Sequence, residues 1–264
     1  MISIVITSFN RAALVIQAIE SALGFIHEVG QGEIIIVDDH SVDETVASIC
    51  AKYHSHLDNG RIKLIQHAQN SGVTAAKNSG ARIATGYWIM FLDSDDKLQP
   101  GVAAKITEIV KKVPESCPVI FFRCMNEAGQ LVGPEQSADI WLQLPEFLRQ
   151  GTPGECLPVV GRSHFLKFNY DEDLRGFEGI TYGKMINAFG PVLVSPVVAR
   201  VYRTENSDRL CTPKNIRKRG CLIALGYVRT LCLFSRALGI KGFIQTVGKA
   251  MVHFMRCLHS KITS

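Results

Sequence analysis

Four apolar runs rich in β-branched residues, ISIVITSF from Ile2, EIIIVDD from Glu33, RIKLIQ from Arg61 and GYWIMFLDSDD from Gly86, alternate with segments of helical spacing. The alternation predicts an α/β fold with a mostly parallel central sheet and helices on both faces. Ligands in such sheets bind in the crevice beyond the carboxyl ends of the strands. Asn10, Asp38, Asp39, Asn70, Asp93 and Asp95 all fall at those ends. Ser41, with Glu44 three residues on, reads as the N-cap of the second helix, and the third helix is expected from about Val73 to Ala84.

The 264 residues, 47% hydrophobic and 20% charged, suffice for one good core and a small appendage. Eight cysteines without a C-x-x-C pair suggest neither a zinc cluster nor a disulfide framework, and free thiols in a reducing cytosol are expected. Met1 to Ile6 already reads as a strand, so no secretory signal is expected and the protein should stay where it is made. The formal charge of +5 is lopsided: no acid follows Asp208, while residues 209–264 hold eleven Lys and Arg. Taking those from the total of 29 leaves 18 bases against 24 acids, a net −6 over the first 208 residues.

The segment FLDSDD, 91–96, places an Asp-x-Asp at the end of a buried strand, where a bound diphosphate would lie. Two like charges so close invite a hard divalent ion, Mn²⁺ or Mg²⁺, that takes carboxylate and phosphate oxygens together. Acidic triplets are also common as solvated turns, so the motif needs its context. The sequence has no G-x-x-x-x-G-K-[ST], which removes the phosphate-loop ATPases, and no G-x-G-x-x-G after the first strand, which removes the ordinary dinucleotide-binding dehydrogenases.

The stretches SIVITSFNR (3–11), IIIVDDHSVDET (34–45) and NSGVTAAKNSGARIATGYWIMFLDSDD (70–96), in this order, resemble the family 2 glycosyltransferases. That resemblance implies a GT-A fold, a sugar-nucleotide donor (a UDP-sugar), a divalent metal and inversion at the anomeric carbon. Thr7, Ser8, Phe9 and Asn10 would then border the base and ribose, with Arg11 closing that side. Asp39 would read the uracil edge, while Asp38 either shares that role or is a turn residue. Gly72 and Asn78 match the family's third motif. Lys77 stands where the family usually has Arg, which keeps a cation near the nucleotide but not a bidentate contact. Asp93 and Ser94 would lie by the ribose and Asp95 on the metal, with Asp96 capping the next segment.

Inverting transfer needs a base for the acceptor hydroxyl. In the resemblance this is the Asp of a Glu-Asp pair, and the matching stretch YDEDLRGFEGITY (170–182) has Gly179 at that place. Glu178 is the candidate base, with Asp173 and Asp171 as alternatives. Arg203 and Arg209, in VYRTENSDRL, would close over the diphosphate, or are exposed loop charges. His40, His67 and His164 show no metal-ligand spacing.

The nucleotide-sugar-binding half is placed at 1–116 and the acceptor-side half at 117–212, where PVIFFRCM reads as a strand and SADIWLQLPEFLRQG as a short helix. The remaining 213–264 alternates apolar stretches with basic residues, Arg229 and Arg236 being seven apart, as are Lys249 and Arg256. Those arginines argue against a spanning helix and for a basic amphipathic helix lying on an anionic membrane. The alternative is packing on the catalytic domain or on a twin subunit. Interleaved Leu, Ile and Phe argue against nucleic acid. Family members with such tails build bacterial surface polysaccharide, O-antigen or capsule, on lipid-linked acceptors, which implies a peripheral enzyme on the cytoplasmic face of the inner membrane. The other readings are a catalytically dead nucleotide-binding partner docked on the membrane, left open by Gly179, and a sugar-phosphate nucleotidyltransferase, for which TSFNR lacks the glycine-rich loop.

Overall fold

The computed structural model describes residues 1–204, 216 and 219–262. β1 (Ile2–Ser8), α1 (Ala12–Val29), β2 (Glu33–Asp38), α2 (Thr45–Asp58), β3 (Ile62–Gln66), α3 (Val73–Ile83) and β4 (Trp88–Asp93) follow in the order the alternation predicts. After them come β5 (Lys97–Leu98), α4 (Ala103–Lys112), β6 (Val119–Asn126), β7 (Ile140–Leu142), α5 (Leu144–Gln150), β8 (Cys156–Gly161), α6 (Arg162–Phe165), α7 (Glu178–Phe189), β9 (Val192–Tyr202) and α8 (Gly220–Ile262). Among the described residues nine strands form one sheet in the order β3-β2-β1-β4-β8-β6-β9-β5, with β7 on β9. β1, β2, β3 and β4 pair in parallel, as do β6 and β9, while β8 runs antiparallel between β4 and β6. One sheet therefore runs through both halves of the domain.

Alternation along each strand builds two cores. Ile4, Ile6, Ile34, Ile36 and Leu92 face one way, against α1, α2 and α4. Val5, Ile35, Val37, Ile89 and Phe91 face the other, toward α3, α5, α6 and α7. α3 sits so close to the sheet that a Cβ on Gly80 would stand 2.4 Å from Val5 Cγ1, which leaves room for no larger residue there. Glu33 ties the sheet's opposite end together. It accepts from Ser3 Oγ (2.6 Å), Thr85 N (2.6 Å) and Lys63 Nζ (2.7 Å). Burial pushes its carboxyl up, but these donors outweigh burial and hold it at about 2.

Three expectations need correction. Ser41 does not cap α2: its N–H and hydroxyl both bond to Asp38, which closes a turn, and the helix begins at Thr45, whose N–H is taken by Asp43 at 3.0 Å. Residues 137–151 are not one helix. Ile140–Leu142 adds an edge strand antiparallel to β9, and α5 starts after Gln143, where a capping box with Glu146 and Pro145 in the first turn set the boundary.

The tail is a helical hairpin. α8 breaks at Gly239 (φ 62°), a conformation that glycine adopts without strain, and its legs, 220–238 and 240–262, fold back on each other. The hairpin brings Cys221 and Cys257 to a Cα separation of 4.9 Å in a disulfide, against the expectation of free thiols throughout; 36 residues of sequence separation gave no hint of that proximity. In a reducing compartment the pair is a dithiol, and packing alone holds the hairpin.

Candidate active site

The carboxyl ends of β1, β2 and β4 and the start of α3 are stitched together by polar side chains. Asn10, at φ 51°, donates its N–H to Ser41 Oγ (2.8 Å) and accepts from Val42 N on its own Oδ1 (2.8 Å), which joins the loops after β1 and β2. Asp38 holds Ser41 and is the turn residue of the two readings left open. Asp39 is buried, and its carboxylate accepts from Ser71 N (2.8 Å), His67 Nδ1 (2.8 Å) and Gly72 N (2.7 Å). Three of a carboxylate's roughly four acceptor positions are thus used inside the protein, so Asp39 shapes the turn that opens α3. Gly72 has φ 92°, a left-handed-side conformation that favours glycine.

The three acids at the end of β4 and just beyond it meet three cations from distant parts of the chain. Lys77 of α3 pairs with Asp93 at 2.8 Å, Arg11 binds Asp95, and Arg200 of β9 pairs with Asp96 at 3.0 Å. Burial by itself would lower the Lys77 ammonium, but the Asp93 and Glu178 carboxylates overcome this and hold it above its usual range. Burial likewise raises Asp93, and Lys77, with Arg200 and Arg11, more than reverses it. Asp96 accepts Arg203 N at 3.0 Å, yet burial carries its carboxyl up to about 7 against the pull of Arg200, with Asp93 and Asp95 adding to the push.

Arg200 is the residue that sequence reasoning missed. It is buried, reaches Glu155 at 2.9 Å, and donates to Cys124 Sγ at 3.1 Å. A single arginine inside the apolar run VLVSPVVARVY was the available signal, because a buried cation needs an anionic partner.

Glu178 opens α7, half-buried, and accepts Gly176 N at 3.3 Å. Its charge and that of Asp93 both help to hold the Lys77 ammonium up and add to the burial that raises the Tyr170 and Tyr182 phenols. The Tyr170 and Tyr182 hydroxyls meet at 2.6 Å. The alternative bases are committed elsewhere. Asp173 is forked by Arg229, which lowers its carboxyl, and Asp171 is paired with Lys184 at 3.0 Å and Arg229 at 3.2 Å. A Cβ on Gly179 would meet nothing within 4 Å, so the departure from the Glu-Asp pattern is not forced by crowding.

Thr7, Ser8 and Ser94 are buried at the strand ends, Phe9 is exposed, and Ser8 Oγ has no hydrogen-bond partner among the described residues. Asn78 sits apart from this group. Its amide accepts Tyr170 N at 2.9 Å and donates to Tyr170 O at 3.0 Å, so its polar atoms hold the 170–178 loop. Arg203 reaches the triplet through its main chain, and Arg209 lies outside the described residues.

The donor set suits a hard divalent ion as a half-site. Asp93 and Asp95 offer carboxylate oxygens, but among the described residues no group of three His, Cys, Asp or Glu side chains could hold a metal by itself. Oxygens from a diphosphate and water would have to complete the shell.

With this geometry, residues 3–173 match the profile of Glycosyl transferase family 2. The chain belongs to that family. A family 2 chain of this length has curated relatives that are longer. It is 36% identical over 222 residues to the succinoglycan biosynthesis protein ExoO of Rhizobium meliloti, covering 78% of this chain and 62% of that protein. It is 27% identical over 183 residues to a GalNAc(5)-diNAcBac-PP-undecaprenol beta-1,3-glucosyltransferase of Campylobacter jejuni, covering 67% of this chain and 57% of the other. The fold is shared with the mannosyltransferase PcManGT of Pyrobaculum calidifontis, solved with GDP-Man and Mn²⁺, at TM-score 0.65 and 14% identity, over 98% of this chain and 75% of that one.

Proposed function

We propose that this chain is an inverting, metal-dependent glycosyltransferase that moves a sugar from a UDP-sugar to a hydroxyl of a lipid-linked glycan in bacterial surface polysaccharide synthesis. The observation that carries the reading is the Asp93–Asp95 pair at the end of β4, flanked by Lys77 and Arg11. Family membership supports glycosyl transfer. The named substrate of the Campylobacter relative, an undecaprenol diphosphate glycan, supports the lipid-linked acceptor. The uridine preference rests on the family resemblance at Asp39, whose carboxylate keeps about one acceptor position beyond its three internal donors.

The donor lies over the loops after β1, β2 and β4, its diphosphate beside Arg11 and Lys77. Asp95, with Asp93, would hold Mn²⁺ or Mg²⁺, which when bound supplies positive charge to the leaving diphosphate. Glu178 takes the proton of the acceptor hydroxyl as its oxygen attacks the anomeric carbon. The carbon–oxygen bond to phosphate breaks on the opposite face, and the electron pair leaves with the nucleoside diphosphate. Replacing one bond by another from the opposite face inverts the configuration. Transfer takes place at the cytoplasmic face of the inner membrane, where the thiols are reduced.

The test is release of nucleoside diphosphate from UDP-, GDP- and TDP-sugars, with Mn²⁺, with Mg²⁺ and with chelator, and with and without a lipid-diphosphate sugar. Metal-dependent release from one donor is expected. Silence across the whole panel would overturn the enzyme reading in favour of a nucleotide-binding partner.

A further inference from the structure

Of the large apolar side chains that are exposed among the described residues, eleven of eighteen fall between Leu225 and Leu258, within α8. The two legs of the hairpin are unlike. The first packs on the domain, leaving only Leu225, Val228 and Leu233 exposed among its large apolar side chains: Phe234 is buried in the core beneath α7, a Cβ on Gly183 would stand 2.9 Å from its ring, and Tyr227 packs edge-on to Phe177 at 5.6 Å. Its other side meets the second leg, where a Cβ on Gly220 would stand 3.1 Å from His253 O.

The second leg turns Thr246, Ala250 and Cys257 inward and leaves Ile240, Ile244, Met251, Met255 and Leu258 exposed. Those five recur at steps of four, seven, four and three residues, which is one helix face. Lys241 and Arg256 are exposed beside that face, while Lys249 Nζ lies 5.8 Å from the centre of the Tyr227 ring on the first leg.

We propose that the second leg of α8 is the docking face for an anionic phospholipid surface, lying in the plane of the interface with the Ile240-to-Leu258 stripe among the acyl chains and Lys241 and Arg256 at the headgroups. The occupant follows from charge. No acid follows Asp208, so a second copy meeting this face through its own α8 would bring two basic surfaces together, whereas anionic headgroups complement it. Exposed Arg236 and Lys241 on either side of the bend oppose deep insertion of the hairpin tip, which leaves the flat orientation. The proposal deepens the membrane placement given above, but it is read without donor or acceptor, so its failure and that of the enzyme reading are separable.

The test is co-sedimentation of the full chain with vesicles of phosphatidylglycerol and phosphatidylcholine in equal parts, against phosphatidylcholine alone. Binding to the anionic vesicles, weakened by added salt, is expected. Lys241→Glu/Arg256→Glu should weaken it roughly a hundredfold, and Ile244→Ser/Met255→Ser at least tenfold. Both variants should keep the helical circular dichroism, and Lys112→Glu on α4 should bind as the parent does. Equal binding to neutral vesicles, or retention in the charge-reversed variant, would overturn the proposal. So would light scattering that shows a dimer lost in the Ile244→Ser/Met255→Ser variant, because the occupant would then be a second copy.

Discussion

Arg229, on the first leg of the C-terminal hairpin, forks onto both carboxylate oxygens of Asp173, at 3.1 and 2.9 Å, and reaches Asp171 at 3.2 Å. The tail is thereby fastened to the 170–178 loop that leads into Glu178. Asn78 clamps the other end of that loop through Tyr170. The Arg229 pair is largely exposed on the Asp173 side, so it contributes little stability, at most about 1 kcal/mol, but it restricts where the loop can go.

Arg229→Ala is therefore expected to lower turnover about tenfold while the melting temperature moves by only a degree or two, because misplacing a catalytic group by a fraction of an ångström costs more than the ion pair is worth. Steady-state rates beside a thermal melt check this. An equal loss in both, or in neither, would show that the fork does not position the loop.

Asp95→Ala should abolish the difference between metal and chelator in the diphosphate-release assay, with a loss of roughly two orders of magnitude in rate and a normal melt. Its side chain is partly exposed and bonded to Arg11 across the loops, so folding does not depend on it. Unchanged metal-dependent turnover would remove Asp95 from the metal site.

Glu178→Gln keeps the shape and the hydrogen bond from Gly176 N but cannot take a proton, so turnover should fall about a hundred- to ten-thousandfold with donor binding retained. Gly179→Asp should fold normally, since its Cβ meets nothing within 4 Å. A glutamine variant as fast as the parent would mean that another group is the base.

Glu33 gives the pH dependence. Its folded value of about 2 lies below the ordinary glutamate value of 4.5, so its contribution is present above about pH 4.5 and is lost as pH falls toward 2. The shift corresponds to about 3 kcal/mol for this largely buried group. Urea unfolding at pH 7 should find Glu33→Gln destabilised by a comparable amount, and the gap should narrow at pH 3. A gap independent of pH would rule out the charge as its cause.

Much of the first hundred residues was legible because their information is local. Apolar runs of β-branched residues become strands, intervening periodicity becomes helices, and polar residues at strand ends must gather on one edge of a parallel sheet. Thr7 to Arg11, Asp39, Gly72, Lys77 and Asp93 to Asp95 come together there for that reason. Asn78 was drawn in by its neighbours in sequence, but its amide points its bonds at Tyr170, ninety-two residues on.

The sequence by itself determined the element order of the first hundred residues, the layered α/β architecture and the acid-rich strand ends, since these depend on side-chain period and backbone preference within a few residues. Tertiary structure alone decided which cation meets which acid, that Arg200 backs Asp96, that β8 inserts antiparallel between β4 and β6, and that the tail folds back to bring Cys221 to Cys257. Each of these joins residues distant in the chain, and such contacts are selected by the packing of whole elements, a quantity that no local pattern encodes.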